Sequence, residues 1–205
     1  MPRQAMTETE LDDFRARIRR EAITIVAEVG LGALSMRKLA ERLGVTAGAL
    51  YRYYPSKIEL IFDCSAVSLA ELKTRFGAIE AGAENPLGAI SEMMAAYAAF
   101  ALEDKDRFRL LFLENDQGAL ASLESDAEAI APYTILQRQV ARAMEAGLIA
   151  SADPAHVTHM LWAGVHGAVT LACTLTRFDL GDAGKLVEDI TSALMKGLST
   201  TGVRT

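Results

Sequence analysis

The stretch Ser35–Lys57, SMRKLAERLGVTAGALYRYYPSK, holds the side chains best suited to recognition chemistry. Arg37, Arg52 and Lys57 carry positive charge, and Tyr51 and Tyr53 add hydroxyls on flat rings. A guanidinium can bridge phosphate oxygens or read a guanine edge, and a tyrosine hydroxyl can bond phosphate. Thr46, Ala47 and Gly48 are small, so a helix built from them lets its backbone approach a partner closely. With Leu50 turned to the core and about 100° per residue, Gly48 and Arg52 lie opposite it, flanked by Ala49 and Tyr51. Lys57 falls in the first turn of a following helix, beside its positive dipole end. That suits a lysine only if a phosphate binds there. The bland alternative is a helical bundle with a solvated charged face.

The elements that must position these groups are legible around them. Ser35 can cap a helix whose Leu39, Ala40 and Leu43 share one face. Gly44 suits a sharp turn with positive φ. Val45 plugs the corner, Thr46 caps a second helix, and Leu50 and Tyr54 point inward. Pro55 ends that helix by restricting the residue before it. Ser56 and Glu59 have the spacing of a capping box for a third helix.

Ser35-Met-Arg-Lys-Leu-Ala, Leu43-Gly-Val-Thr46, Leu50-Tyr-Arg-Tyr-Tyr54 and Ser56-Lys57-x-Glu59-Leu60 together resemble the DNA-binding head of the tetracycline-repressor-type (TetR) regulators. The resemblance covers roughly residues 10–62. It implies that Ser35, Arg37, Thr46, Ala47, Gly48, Tyr51, Arg52, Tyr53 and Lys57 contact DNA. It also implies that the helix after Pro55 is the lever linking ligand binding to DNA release.

Before this stretch, Thr7 or Thr9 can start a helix with a stripe of Leu11, Phe14, Ile18, Ala22, Ile25, Val26 and Val29. Arg15, Arg17, Arg19 and Arg20 lie largely off it, either as a solvated face or against phosphate. After it, a helical pattern runs from Ser56 to about Ile79, with a break over Gly77–Asn85. Asn85-Pro86 and Asp153-Pro154 are cap-plus-proline helix starts. Helices are expected over Pro86–Leu102, Arg107–Leu113, from about Pro132 to Ala146, over Asp153–Thr176 and, after a turn at Arg177–Gly184, in a last helix to about Leu198, with Glu103–Asp106 a polar link. Glu114–Asp126 reads as a loose acidic segment or a short helix. No alternating strand pattern appears, so the fold class is all-α. The expected division is a helix-turn-helix domain over 1–62 and a helical bundle for ligand binding and dimerisation over 63–205.

Trp162-x-x-x-His166-Gly167 resembles the signature of a C-terminal domain type, named Trp-His-Gly, attached to TetR-like heads; Ala146-Gly-Leu-Ile149 and Asp153-Pro154 add to it. Asp153–Thr176 is apolar nearly all round and needs cover on most faces. A second copy of the chain, paired through this helix and the last one, would supply it. The alternative is an ordinary buried helix. Methionines and aromatics are plentiful in this half, which suits an adaptable apolar pocket or an ordinary core. Tyr97, Phe112 and Trp162 are the expected lining. His166 either bonds a ligand or sits in the core or dimer seam. His156 and His159 share a face, but no carboxylate or cysteine joins them, so no metal or other cofactor is expected.

The net charge of −6 divides unevenly: residues 1–60 carry +2 and residues 61–205 carry −8. A mildly basic head on an acidic body can still bind nucleic acid, because local field outweighs total charge. Cys64 and Cys173 stand far apart and read as reduced thiols of a cytoplasmic protein. The chain has no signal-peptide core and no membrane-length apolar run. No glycine-rich phosphate loop, nucleophile triad or purposeful carboxylate pair supports an enzyme. The resulting expectation is a homodimeric repressor that binds a palindromic operator and is released by a small apolar ligand. The alternatives are an activator or a small-molecule-binding protein on the same fold.

Overall fold

The computed structural model describes residues 7–114, 116–175 and 177–200. Among them are ten α-helices: α1 Glu8–Val29, α2 Met36–Leu43, α3 Ala47–Leu50, α4 Lys57–Gly82, α5 Pro86–Glu103, α6 Lys105–Phe112, α7 Gln117–Ser125, α8 Ala131–Glu145, α9 Pro154–Thr174 and α10 Ala183–Leu198. The fold is all-α. The only extended pairing among the described residues is an isolated bridge between Ile149 and Ser199. No described helix is long and apolar enough to cross a membrane.

The chain forms two compact units. The first runs to Ser68 and adds Asp106–Ser125; the second comprises Leu69–Lys105 and the chain from Asp126 onward. The first therefore takes in α7 and nearly all of α6, which a division at 62/63 leaves with the second.

In the first unit, Thr7 and Glu10 close a capping box at the start of α1. Ile18, Ala22, Ile25 and Val26 form its buried stripe, joined by Leu34, Met36, Leu39, Ala40, Leu50, Leu60 and Ile61. The expected stripe is too long at both ends: Leu11 and Val29 are exposed. Leu110 of α6 and Ala119 of α7 complete this core. The acidic segment after Glu114 thus holds a real helix, anchored by buried Ala119 and Leu123.

α4 is longer than its pattern suggests. Gly77 lies inside it with open space where a Cβ would be, so neither φ nor crowding breaks the helix there. The break falls instead at Ala83–Asn85, where Asn85 caps α5 by accepting the Gly88 N–H at 2.8 Å. The polar link before α6 shrinks to Asp104.

In the second unit, α5 packs against α8, α9 and α10, and α9 packs against α8 and α10. Ile90, Met93, Met94 and Phe100 of α5 meet this core with Val140 of α8 and Leu161, Val165 and Val169 of α9, all at most 1% exposed. Gly164 of α9 sits tight under α10: an added Cβ would stand 3.0 Å from Leu194 Cδ1 and 3.1 Å from Ile190 Cγ2. Next to this contact and away from the buried face of α9, Met160, Ala163, Gly167 and Leu171 are exposed at helical spacing among the described residues.

Candidate nucleic-acid interface

Two side-chain caps and one glycine build the α2–turn–α3 unit. Ser35 Oγ accepts the Lys38 N–H at 3.2 Å, and Thr46 Oγ1 accepts the Ala49 N–H at 3.2 Å. Each satisfies a main-chain donor that a helix start would leave bare. Gly44 terminates α2 at φ 68°, a left-handed conformation that suits glycine. The Val45 N–H then donates to the Ala40 carbonyl at 3.0 Å, bringing the chain round into α3. Leu50, fully buried, pins α3 to the core.

α3 is shorter than the sequence suggests. Regular helix stops at Leu50, and the next residues form a tightened turn in which the Tyr53 and Tyr54 N–H groups share the Leu50 carbonyl, at 2.8 and 3.0 Å. The proline at 55 steers Tyr54 away from helical backbone angles, so the helix winds down before it.

The outward groups are arranged for contact. Gly48 has no heavy atom within 4 Å of where its Cβ would sit. Arg37, Arg52 and Tyr51 are exposed. Among the described residues no carboxylate pairs with Arg37 or Arg52. Other arginines of this unit are tied down: Arg42 bonds Glu21 and Glu28, each at 2.6 Å, and Arg19 bonds Asp63 at 2.9 Å. Two uncompensated guanidiniums beside a bare backbone can grip an anionic polymer.

Four expected contact residues also have structural work. Ser35 and Thr46 are engaged as caps. The Tyr53 ring is half-buried and packs edge-on against Phe14, with centroids 5.0 Å apart, so it does not simply face outward. Lys57 Nζ donates to the Leu31 carbonyl at 2.7 Å. Ser56 accepts the Glu59 N–H at 3.1 Å, the main-chain half of the expected capping box. Of the arginines on α1, Arg19 is held by Asp63, and Arg17 lies 5.7 Å from the centre of the Phe14 ring.

Sequence reading misses Asp63 and Glu114. Asp63 accepts the Tyr54 hydroxyl at 2.5 Å, and Glu114 accepts the Leu31 N–H at 3.0 Å. Glu114 lies 83 residues from its partner, beyond any local signal.

In the second unit, Tyr97, Trp162 and His166 come together. The Tyr97 hydroxyl lies 2.7 Å from His166 Nδ1, and the Trp162 ring meets His166 edge-on with centroids 5.7 Å apart. Burial pushes the Tyr97 hydroxyl pKa well above its usual value, against a hydrogen bond from Trp162 that lowers it. Burial also lowers the pKa of His166. Both groups are thereby kept neutral. Phe112 lies in the first unit and packs on Phe108, with centroids 5.0 Å apart. His159 stacks on Tyr133. A separate cleft of about 390 Å³ opens between α5 and α10, lined by Leu87, Ser91, Val187, Thr191 and Met195 and by none of the four expected ligand residues.

Comparison with known proteins agrees with this geometry. Residues 18–64 match the family described as "Bacterial regulatory proteins, tetR family". Residues 90–194 match "Tetracyclin repressor-like, C-terminal domain". Over 74 residues the chain is 35% identical to the HTH-type transcriptional repressor KstR of Rhodococcus jostii (strain RHA1). That stretch is 36% of this chain and 32% of the repressor, so the chain spans about a third of the length of the curated relatives it matches. The fold is shared with the TetR family transcriptional regulator PfmR of Thermus thermophilus, at 21% identity and TM-score 0.72 over 89% of this chain and 99% of that one. It is shared also with the fatty acid degradation regulator FadR of Bacillus halodurans, at 16% identity and TM-score 0.77 over 90% and 95% of the two chains. The capped helix-turn-helix and the all-helical second unit thus carry matches to the two halves of one family, and the chain belongs to the tetracycline-repressor (TetR) family of bacterial regulatory proteins.

Proposed function

We propose that the chain is a homodimeric transcriptional repressor whose first unit binds a palindromic operator and whose second unit binds a small, largely apolar effector. The observation that carries the DNA-binding reading is that Arg37 of α2 and Arg52 just after α3 are exposed and have no carboxylate partner among the described residues, with α3 bared at Gly48. In this reading Thr46, Ala47 and Gly48 let α3 enter the major groove. Tyr51 and Arg52 then reach base edges and phosphate, and Lys57 takes a phosphate near the start of α4. The name of the Rhodococcus relative supports repression as the sign of regulation.

Homodimerisation is supported by the apolar stripe Met160–Ala163–Gly167–Leu171 on α9, which is exposed among the described residues. Two heads would then meet half-sites about one helical turn apart, roughly 34 Å. The effector reading rests on Tyr97, His166 and Trp162, which offer hydrogen-bonding heads among buried apolar side chains. By linkage, effector and operator weaken each other's binding by the same factor.

The test is selection of duplexes from a random library by the full chain, followed by fluorescence titration at several salt concentrations. A palindromic consensus bound by two chains, with affinity falling steeply as salt rises, is the expected result. Recovery of no consensus, or binding indifferent to salt, would refute it.

A further inference from the structure

The turn that delivers the chain into α2 is gripped from two sides. Gly30, at φ 80°, ends α1 and starts a 3-10 turn, Leu31–Ala33. The main-chain N–H of Leu31 opens that turn and so has no partner within it. Glu114 Oε2 accepts it at 3.0 Å. The other carboxylate oxygen of Glu114 accepts Arg109 Nη2 at 2.9 Å, which aims the side chain. The carbonyl of the same Leu31 accepts Lys57 Nζ at 2.7 Å. One residue of the connection is thus held by a carboxylate from beyond α6 and by the ammonium that opens α4.

We infer that Glu114 is a positioning residue for DNA reading: by holding Leu31 it fixes the start of α2 and, through the Leu31 carbonyl, the register of Lys57. The inference rests on the DNA-binding reading above. It follows from charge and geometry. A carboxylate-to-amide bond is charge-assisted and stronger than a neutral one. Its loss leaves a part-buried N–H with no acceptor in the turn. The turn is three residues long, and of these only Leu31, half-buried, packs on the core, while Gly32 and Ala33 are exposed. Arg37, whose reach depends on where α2 begins, and Lys57, whose ammonium leans on the Leu31 carbonyl, are both displaced when the turn loosens.

The experiment uses the full chain and the duplex recovered by the library selection. Wild type, Glu114→Ala and Glu114→Gln are compared by operator affinity across a salt series and by hydrogen exchange of the Leu31 amide. In Glu114→Ala, affinity is expected to fall about tenfold. The salt slope should flatten by about one phosphate contact, because Lys57 loses its register, and the Leu31 amide should exchange freely. Glu114→Gln keeps an acceptor and should restore both protection and most of the affinity. Unchanged affinity in Glu114→Ala overturns the inference alone. A loss that only tracks the unfolded fraction, at an unaltered salt slope, overturns it too, by making Glu114 a stability residue. A wild-type chain that binds no duplex overturns the DNA-binding reading and this inference together.

Discussion

The Tyr54 hydroxyl donates to Asp63 Oδ2 at 2.5 Å, and the same oxygen accepts Arg19 Nη1 at 2.9 Å. One carboxylate on α4 therefore ties the end of the α3 segment to α1. Tyr54 is 5% exposed, and burial followed by the neighbouring Asp63 drives its hydroxyl pKa well above the usual tyrosine value. The phenol is a permanent donor here. It holds the reading segment in place after regular helix has stopped at Leu50.

Asp63→Ala is expected to cost about 1–3 kcal/mol of unfolding free energy, since it strands a buried hydroxyl and a half-buried guanidinium together. Tyr54→Phe removes only the hydroxyl and leaves Arg19 on Asp63, so it should cost about 1 kcal/mol. Urea denaturation measures both. Equal costs for the two variants would show that Arg19 gains nothing from Asp63.

Arg52→Ala is expected to weaken the selected operator by about 1–3 kcal/mol and to relax preference at the base it reads. Lys57→Ala should weaken all sequences alike and flatten the salt slope by about one unit. It should also cost about 0.5–1.5 kcal/mol of stability, because the Leu31 carbonyl loses the charged one of its two donors and keeps only the Leu34 N–H. Titration of operator and scrambled duplexes separates the two. An Arg52→Ala variant that loses equally on both would make Arg52 a phosphate contact.

Much of the head is legible locally. Ser35, Gly44 and Thr46, like Asn85 in the second unit, act through bonds within five residues, and each turns or caps the chain as its type requires. What sequence reading cannot reach is set at long range. Asp63 and Glu114 look like ordinary acidic surface residues until the fold brings Arg19 and Leu31 to them, across 44 and 83 residues. Gly77 misleads in the opposite sense, because glycine permits a break without forcing one.

Leu171→Glu tests the homodimer. Leu171 is 43% exposed on the uncovered stripe of α9, so the change costs a lone chain little. In a two-fold dimer the same residue is met by its own counterpart region, and a buried unpaired carboxylate there is strongly unfavourable. Sedimentation is expected to give the mass of two chains for wild type and of one for the variant, with circular dichroism unchanged. A wild type that sediments as one chain refutes the dimer.

His166 gives the second unit a pH dependence of fixed sign. Burial holds its pKa below the ordinary 6.5, so the unfolded chain binds the proton more readily than the folded one. The contribution to stability is therefore complete above about pH 6.5 and is lost as pH falls through the folded pKa. The bond to Tyr97 suits a neutral ring carrying its proton on Nε2: in that tautomer Nδ1 accepts the Tyr97 proton, while the Tyr97 oxygen accepts from Trp162. Protonation turns Nδ1 into a donor facing a donor, so the pair must rearrange. His166→Asn places an uncharged amide acceptor near Nδ1. Thermal unfolding of both proteins from about pH 8 to pH 5 should show wild type losing more stability than the variant below about pH 6.5. Parallel curves would mean that protonation of His166 is not resisted by the fold, and the buried Tyr97 hydroxyl would then need a different acceptor.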